Sequence, residues 1–252
     1  ISYLLCHMSF IEHRIFLRIK VVSIKPIMDS FIQKMHMSKI PLKKPILISL
    51  FGFPGSGKTY FAKNLTEYIQ AVHISTDKLR NELFTRPRFD KEENSVVNHL
   101  AHYMTEEFLS AGVSVIFDGN CDRLAKRQSL REIAKKHKAI YTLIWFQIDK
   151  DSAFMRMKSR DKRRSEDKYS RDFTKDEFNQ YISAVQNPKP EEDYLVLSGK
   201  HSPNMQRSAL VRRLFEKGVI SADYVPSNIT KPGMVNLVPG RVDESRRNIT
   251  IR

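Results

Sequence analysis

"LISLFGFPGSGKTYFAKNL" (residues 47–65) decides the fold. Three local patterns meet in it without a break. Residues 45–51, PILISLF, form a short apolar run rich in branched side chains. A run of that length and composition reads as a strand buried on both faces of a parallel sheet. Residues 59–70, TYFAKNLTEYIQ, carry apolar side chains at helical spacing. Between them Gly52, Phe53, Pro54, Gly55, Ser56, Gly57, Lys58 and Thr59 fit the pattern G-x-x-x-x-G-K-[ST], with a strand before it and a helix after it.

Each residue type has a physical task in such a loop. Gly52 and Gly57 permit backbone angles and approaches that a Cβ would block. The amides of about 55–60 can turn toward phosphate oxygens, aided by the start of the helix. Lys58 can reach the β- and γ-phosphates. The Thr59 hydroxyl suits Mg²⁺, which prefers oxygen ligands. The expected nucleotide-binding set is thus Gly52 to Tyr60. The rings of Phe53 and Tyr60 flank the loop, where packing on an adenine and packing on neighbouring helices are both open.

Outward from this unit the alternation continues. Residues 72–76, 113–119, 139–149 and 193–198 read as strands. Residues 91–112, 123–138, 152–160, 175–185 and 204–218 read as helical. The expected fold is therefore α/β: a P-loop NTPase fold with a parallel five-stranded sheet, helices on both faces and a basic lid. Ligands in such sheets bind at the carboxyl ends of the strands. The domain is expected to span 45–220, with 1–44 an N-terminal extension outside the core and 221–252 an extended arm ending in the strand-like RNITIR.

The chain of 252 residues carries 43 Lys and Arg against 28 Asp and Glu, a formal charge of +15. That excess suits an anionic partner such as a nucleotide, a nucleic acid or a phosphorylated metabolite, and equally a solvated basic surface. Cys6 and Cys121 are the two cysteines, and they form no CxxC pair. This excludes a disulfide framework or zinc module and fits a reducing, cytoplasmic setting. No run of residues is long and apolar enough to span a membrane. His99 and His102, three apart on a helix, lack a third ligand at metal-binding spacing. Trp145 reads as core.

Acidic residues at strand ends narrow the class. Asp118 closes the apolar strand VIFD and can hold Mg²⁺ opposite the loop. It is followed by Gly119 rather than the Glu of a mechanical ATPase, and no guanine-reading Asn-Lys-x-Asp motif occurs. Asp77 and Arg80, in STDKLR, share one helix face. Asp77 can take the proton of an attacking hydroxyl, or simply cap the helix. Arg80 can grip an anionic acceptor or keep Asp77 ionised. The stretch RMKSRDKRRSEDKYSRD (156–172) presents Arg156, Arg160, Arg163 and Arg164 between two helical patterns. It reads as a lid that stabilises a transferring phosphoryl group, with Arg160 or Arg164 catalytic.

GFPGSGKT, the Asp77-x-x-Arg80 pair, Asp118-Gly119-Asn120, Arg127 and the arginine lid together resemble the AAA_33-type P-loop kinases. That group includes the kinase domain of polynucleotide kinases, relatives of zeta toxins and proteins described as AAA family ATPases. The resemblance covers about residues 45–198. It implies phosphoryl transfer from ATP with Mg²⁺ to a hydroxyl. Asp77 would be the base, assisted by Lys58, Arg160 and Arg164. Arg80, Asp118 and Asn120 would lie at the acceptor, and Thr59 and Asp118 at the metal. Cys121 departs from the Thr or Asn common nearby in relatives. The expected function is a small-molecule kinase. The alternatives are a nucleic-acid 5′-hydroxyl kinase and a nucleotide-dependent switch or ATPase.

Overall fold

The computed structural model describes residues 40–164 and 167–221. The arm expected from 221, its RNITIR strand and most of the expected extension lie outside the described residues.

Five strands form one sheet: β1 (Ile46–Gly52), β2 (Ala71–Ser75), β3 (Ser114–Asp118), β4 (Ile140–Gln147) and β5 (Tyr194–Ser198). The order is β2-β3-β1-β4-β5, and every neighbouring pair is parallel. Parallel neighbours need crossover connections, and helices supply them. These are α1 (Lys58–Thr66), α2 (Thr76–Leu83), α3 (Lys91–Ser110), α4 (Leu124–Lys136), α5 (Lys150–Lys158), α6 (Lys175–Ala184) and α7 (Pro203–Glu216).

The two-residue period of a strand sorts the core into two layers. Ile46, Ile48 and Leu50 of β1 pack with Phe61 and Leu65 of α1 and with Leu210 and Leu214 of α7. Leu47 and Phe51 point the other way, toward Ala101, Met104 and Phe108 of α3 and Leu130 and Ala134 of α4. The helices therefore cover both faces, as the mostly apolar and wholly buried run Ile46–Phe51 requires. Ser49 is the polar exception in β1, fully buried; its hydroxyl meets the Tyr141 hydroxyl at 2.6 Å. Trp145 sits edge-on to both Phe51 and Tyr194. Residues 40–44, upstream of the expected boundary at 45, contact this body too. Ile40 donates to the Tyr68 carbonyl, Lys43 donates to the Val219 carbonyl, and Ile40 and Leu42 pack on the core.

Helix starts show where the fold leaves backbone donors open. Side chains of Ser75, Asp90, Asp149, Thr174 and Ser202 cap α2, α3, α5, α6 and α7. The first amide of α4 is taken by the Gln186 side chain at 2.9 Å. α1 begins at Gly57 in the left-handed region with no side-chain cap. Its first-turn amides are the ones left facing the loop.

Arg127, one of the resemblance residues, is 1% exposed and serves the fold. It makes a bidentate pair with Glu192 at 2.6 and 2.8 Å, donates to the Cys121 and Gln186 carbonyls, and lies over the Phe51 ring. Removing one partner strands a buried charge. Arg127→Leu should lower unfolding free energy by about 3–5 kcal/mol in urea denaturation. A loss below about 1 kcal/mol would contradict this structural role.

Candidate functional site

The site forms where β1, β2 and β3 end, over the loop between β1 and α1. Gly55 has φ +86°, and a Cβ there would be driven into the Ala153 carbonyl of α5. The loop thus touches the helix that leads into the lid. Gly57, at φ +96°, opens α1 with its amides unblocked.

Lys58 folds back over this loop. Its Nζ donates to the Gly52 carbonyl at 2.7 Å and the Phe53 carbonyl at 2.9 Å. Burial lowers its pKa to about 8, with Asp118 opposing that shift and Arg160 adding to it.

Asp118, at the tip of β3, is 7% exposed. Burial alone would raise its pKa. The hydrogen bond and charge of His73, the charge of Lys58 and the Thr59 hydroxyl outweigh burial and hold it below the usual carboxylate value. The His73 ring nitrogen lies 3.2 Å from Asp118 Oδ2. A buried, ionised carboxylate beside the Thr59 hydroxyl is a hard-oxygen pair that fits a Mg²⁺ ion. The next residue, Gly119, has a packing reason: a Cβ would press on the Phe117 ring and the Thr76 methyl. A side chain there would force the Phe117 ring or Thr76 to shift.

Asp77 lies in the first turn of α2 and does not cap it; that task falls to Ser75, whose hydroxyl accepts from the Lys78 amide at 3.3 Å. Burial and then the charge of Asp118 raise the Asp77 pKa to about 6, against the pull of Arg80, Arg160 and Lys58. The titrations of two carboxylates in one cleft are thereby pushed apart, Asp118 down and Asp77 up to about 6.

Arg80, expected at the acceptor, is committed elsewhere. It is 5% exposed, donates to Glu93 at 3.2 Å and Asn94 at 2.6 Å, and covers the Phe89 ring. Its charge still reaches Asp77, and its position lines the cleft. Asn120 also lines the cleft, with its carboxamide donating to Asp122 and accepting from Lys126 at 2.8 Å.

The lid arginines separate by environment. Arg160 is 17% exposed, donates to the Arg171 carbonyl at 3.1 Å, and its charge is felt by both Lys58 and Asp77. Arg164 lines the same cleft with an exposed side chain. Arg163 is 93% exposed and pairs with Asp161. Arg156 donates to the Gly199 carbonyl at 2.6 Å, and Lys200 pairs with Asp149 at 2.7 Å. The segment 198–201 therefore closes one side of the loop. Phe53 packs on the cluster of Ala153, Met157 and Phe178, while Tyr60 stays 46% exposed at the cleft.

These parts surround one cleft of about 690 Å³. Sequence reasoning missed His73, Arg171, Asn98, Asp122 and Tyr181, which reach the site or its Asp118 from other elements. A polar residue in the middle of the apolar run AVHIS was the signal for His73. Cys121 carries no thiol chemistry here: it is buried, and burial pushes its pKa up to about 12.

A family model described as an AAA domain, AAA_33, matches residues 47–188, more than half of the chain. The chain belongs to the AAA_33 family. Solved structures of similar fold include a putative kinase from Chloroflexus aurantiacus. It has a TM-score of 0.54 and 17% identity, over 69% of this chain and 98% of that one. Kti12 from Chaetomium thermophilum in complex with ADP-AlF3 aligns with TM-score 0.53 and 17% identity, over 69% and 99%. The Mycobacterium tuberculosis APS kinase CysC in complex with AMPPNP and APS aligns with TM-score 0.51 and 18% identity, over 69% and 98%. At such identities the likeness is one of fold, a P-loop kinase-like fold. No curated protein sequence matches the chain. Among the described residues of this AAA_33 protein no helix is long and apolar enough to cross a membrane.

An anion on the loop should restore the Lys58 proton. Affinity for a triphosphate, measured by titration calorimetry, should hold below pH 8 and then fall by up to about tenfold per pH unit. Lys58→Ala should abolish that pH dependence along with most of the affinity. Affinity flat from pH 7 to 9.5 would contradict the assignment.

Proposed function

We propose that this AAA_33 protein is a kinase that transfers the γ-phosphoryl group of ATP to a hydroxyl of a small molecule. The carrying observation is the unequal pair of carboxylates. Asp118 stays ionised beside Thr59, and Asp77 titrates near neutrality, both within the field of Lys58. The uncapped start of α1 supports a phosphate cradle, and nucleotide-bound relatives of the same fold support ATP as donor.

In this reading the amides of Gly55 to Tyr60 bind the β- and γ-phosphate oxygens. Lys58 releases the Gly52 and Phe53 carbonyls and turns to the phosphates. Thr59 and Asp118 would hold Mg²⁺, which offsets phosphate charge. Asp77 accepts the acceptor's hydroxyl proton as the acceptor oxygen bonds to the γ-phosphorus. The bond from that phosphorus to the β,γ-bridging oxygen breaks, and ADP leaves with the electron pair. Arg160 stabilises the charge on the transferring group from the lid, and Arg164 lies further out along the cleft.

The acid limb follows from the sign of the Asp77 shift. Below pH 6 Asp77 is protonated and cannot take a proton, so kcat/KM should rise as pH passes 6. It should fall again above about 8 as Lys58 loses its charge. Asp77→Asn should lower kcat by about 10²–10⁴ and erase the acid limb, with ATP affinity changed less than about threefold. Arg160→Ala should cost more in kcat than Arg164→Ala. Full transfer by Asp77→Asn, assayed with labelled ATP, would remove the proposed base.

A further inference from the structure

Beyond Asp77 the cleft continues to a wall built by α3, the loop after β3, the end of the lid and α6. Its composition bears on the acceptor. The cations there are already matched: Arg80 with Glu93, Arg171 with Glu177, and Lys126 with Asp122. Arg160 of the lid faces Asp167. An anionic acceptor would find little uncompensated positive charge on this wall, since Arg164, which has no ion pair among the described residues, belongs to the lid assigned above to the transferring phosphoryl group, and it would approach the carboxylate of Asp77.

The aromatic surfaces are also occupied. Arg80 and Arg171 lie over Phe89 at 4.7 and 5.0 Å, and Arg171 lies over Phe173 at 4.6 Å. Phe173 meets Tyr181 at 5.8 Å. A nucleobase would have to displace a guanidinium to stack. What the wall presents instead is neutral and polar. Among the described residues the Asn98 carboxamide and the Tyr181 hydroxyl line the cleft with no protein hydrogen bond. A carboxamide supplies two donors and an acceptor, and a phenol one of each.

We infer that the acceptor is a neutral polyhydroxylated molecule of sugar or polyol type, held by Asn98 and Tyr181 with one hydroxyl directed at Asp77. This rests on the kinase reading above. The Asn98 oxygen accepts from acceptor hydroxyls, while the Asn98 amide and the Tyr181 hydroxyl donate to them. The acceptor end thus selects by counted hydrogen bonds rather than by charge.

The test is phosphoryl transfer from labelled ATP, with magnesium, by the full chain to four classes. These are neutral polyols and sugars (glycerol, myo-inositol, D-ribose, D-glucose), anionic sugars (gluconate, glucose 6-phosphate), adenosine, and a 5′-hydroxyl oligonucleotide. Transfer to a member of the neutral class, with kcat/KM at least about tenfold above the other classes, is the expected result. Preference for an anionic sugar or adenosine would overturn the inference and leave the kinase reading in place; preference for the oligonucleotide would overturn the inference and the small-molecule acceptor with it, leaving only phosphoryl transfer to a hydroxyl. Transfer to none of the four by protein that binds ATP would overturn both. Asn98→Ala and Tyr181→Phe should each raise KM for the neutral acceptor about tenfold, with the dissociation constant for ATP unchanged. Acceptor KM unmoved in both variants would remove these residues from the acceptor wall.

Discussion

Two carboxylates and an ammonium group share one cleft at the strand tips, and the rest of the site is arranged around that constraint. In such a pocket charges couple far more strongly than in water. Asp118 wins the competition for ionisation because His73, Lys58 and Thr59 all favour its charged form. Asp77, raised first by burial and then by that charge, titrates at about pH 6. A group that is half ionised near pH 6 is largely ionised at neutral pH and suited to receive a proton, while a group held well below that range is suited to hold a cation.

The fold secures this pairing through its parallel sheet. Ser75 at the end of β2 stands in register with Asp118 at the end of β3, so Asp77, two residues on, cannot stray from Asp118. The close passage at Gly119 brings α2 against β3 without an intervening side chain. On the other side Gly55 lets α5 rest on the phosphate loop, and Arg156 ties α5 to Gly199. The lid therefore starts from a helix anchored to the loop it covers. Domain-scale organisation and local chemistry are linked by contacts that tolerate no added Cβ.

Much of this was legible in the sequence, for physical reasons that differ by residue. The strand run 45–51 and the glycine loop are local patterns, so β1, the loop and α1 could be read directly. The alternation that follows specifies a parallel sheet with helices on both faces. Asp118 was legible because a carboxylate ending an apolar strand is costly without a task. Arg80 was readable as a neighbour of Asp77, whose charge it favours, but its partners Glu93 and Asn94 lie on another helix, and spacing cannot show that a guanidinium is already bonded. Arg127 lay among the resemblance residues, yet its ion pair with Glu192 and its burial under Phe51 are long-range facts. Asn98 and Tyr181 carry no local signal at all; only the folding of α3 and α6 onto the cleft brings them together. Residues 40–44 were placed outside the core because the regular pattern begins only after them, while Ile40 and Leu42 in fact pack on it.

The central claim is that Asp77 and Asp118 differ in protonation because they share one pocket. The direct measurement is a ¹³C NMR titration of aspartate-labelled protein, with the two carboxyl signals assigned by Asp77→Asn and Asp118→Asn. The account predicts that Asp77 titrates near pH 6 while Asp118 stays ionised below the usual carboxylate range, and that Asp118→Asn shifts Asp77 downward. Independent titration of both groups near pH 4, unmoved by either substitution, would contradict it.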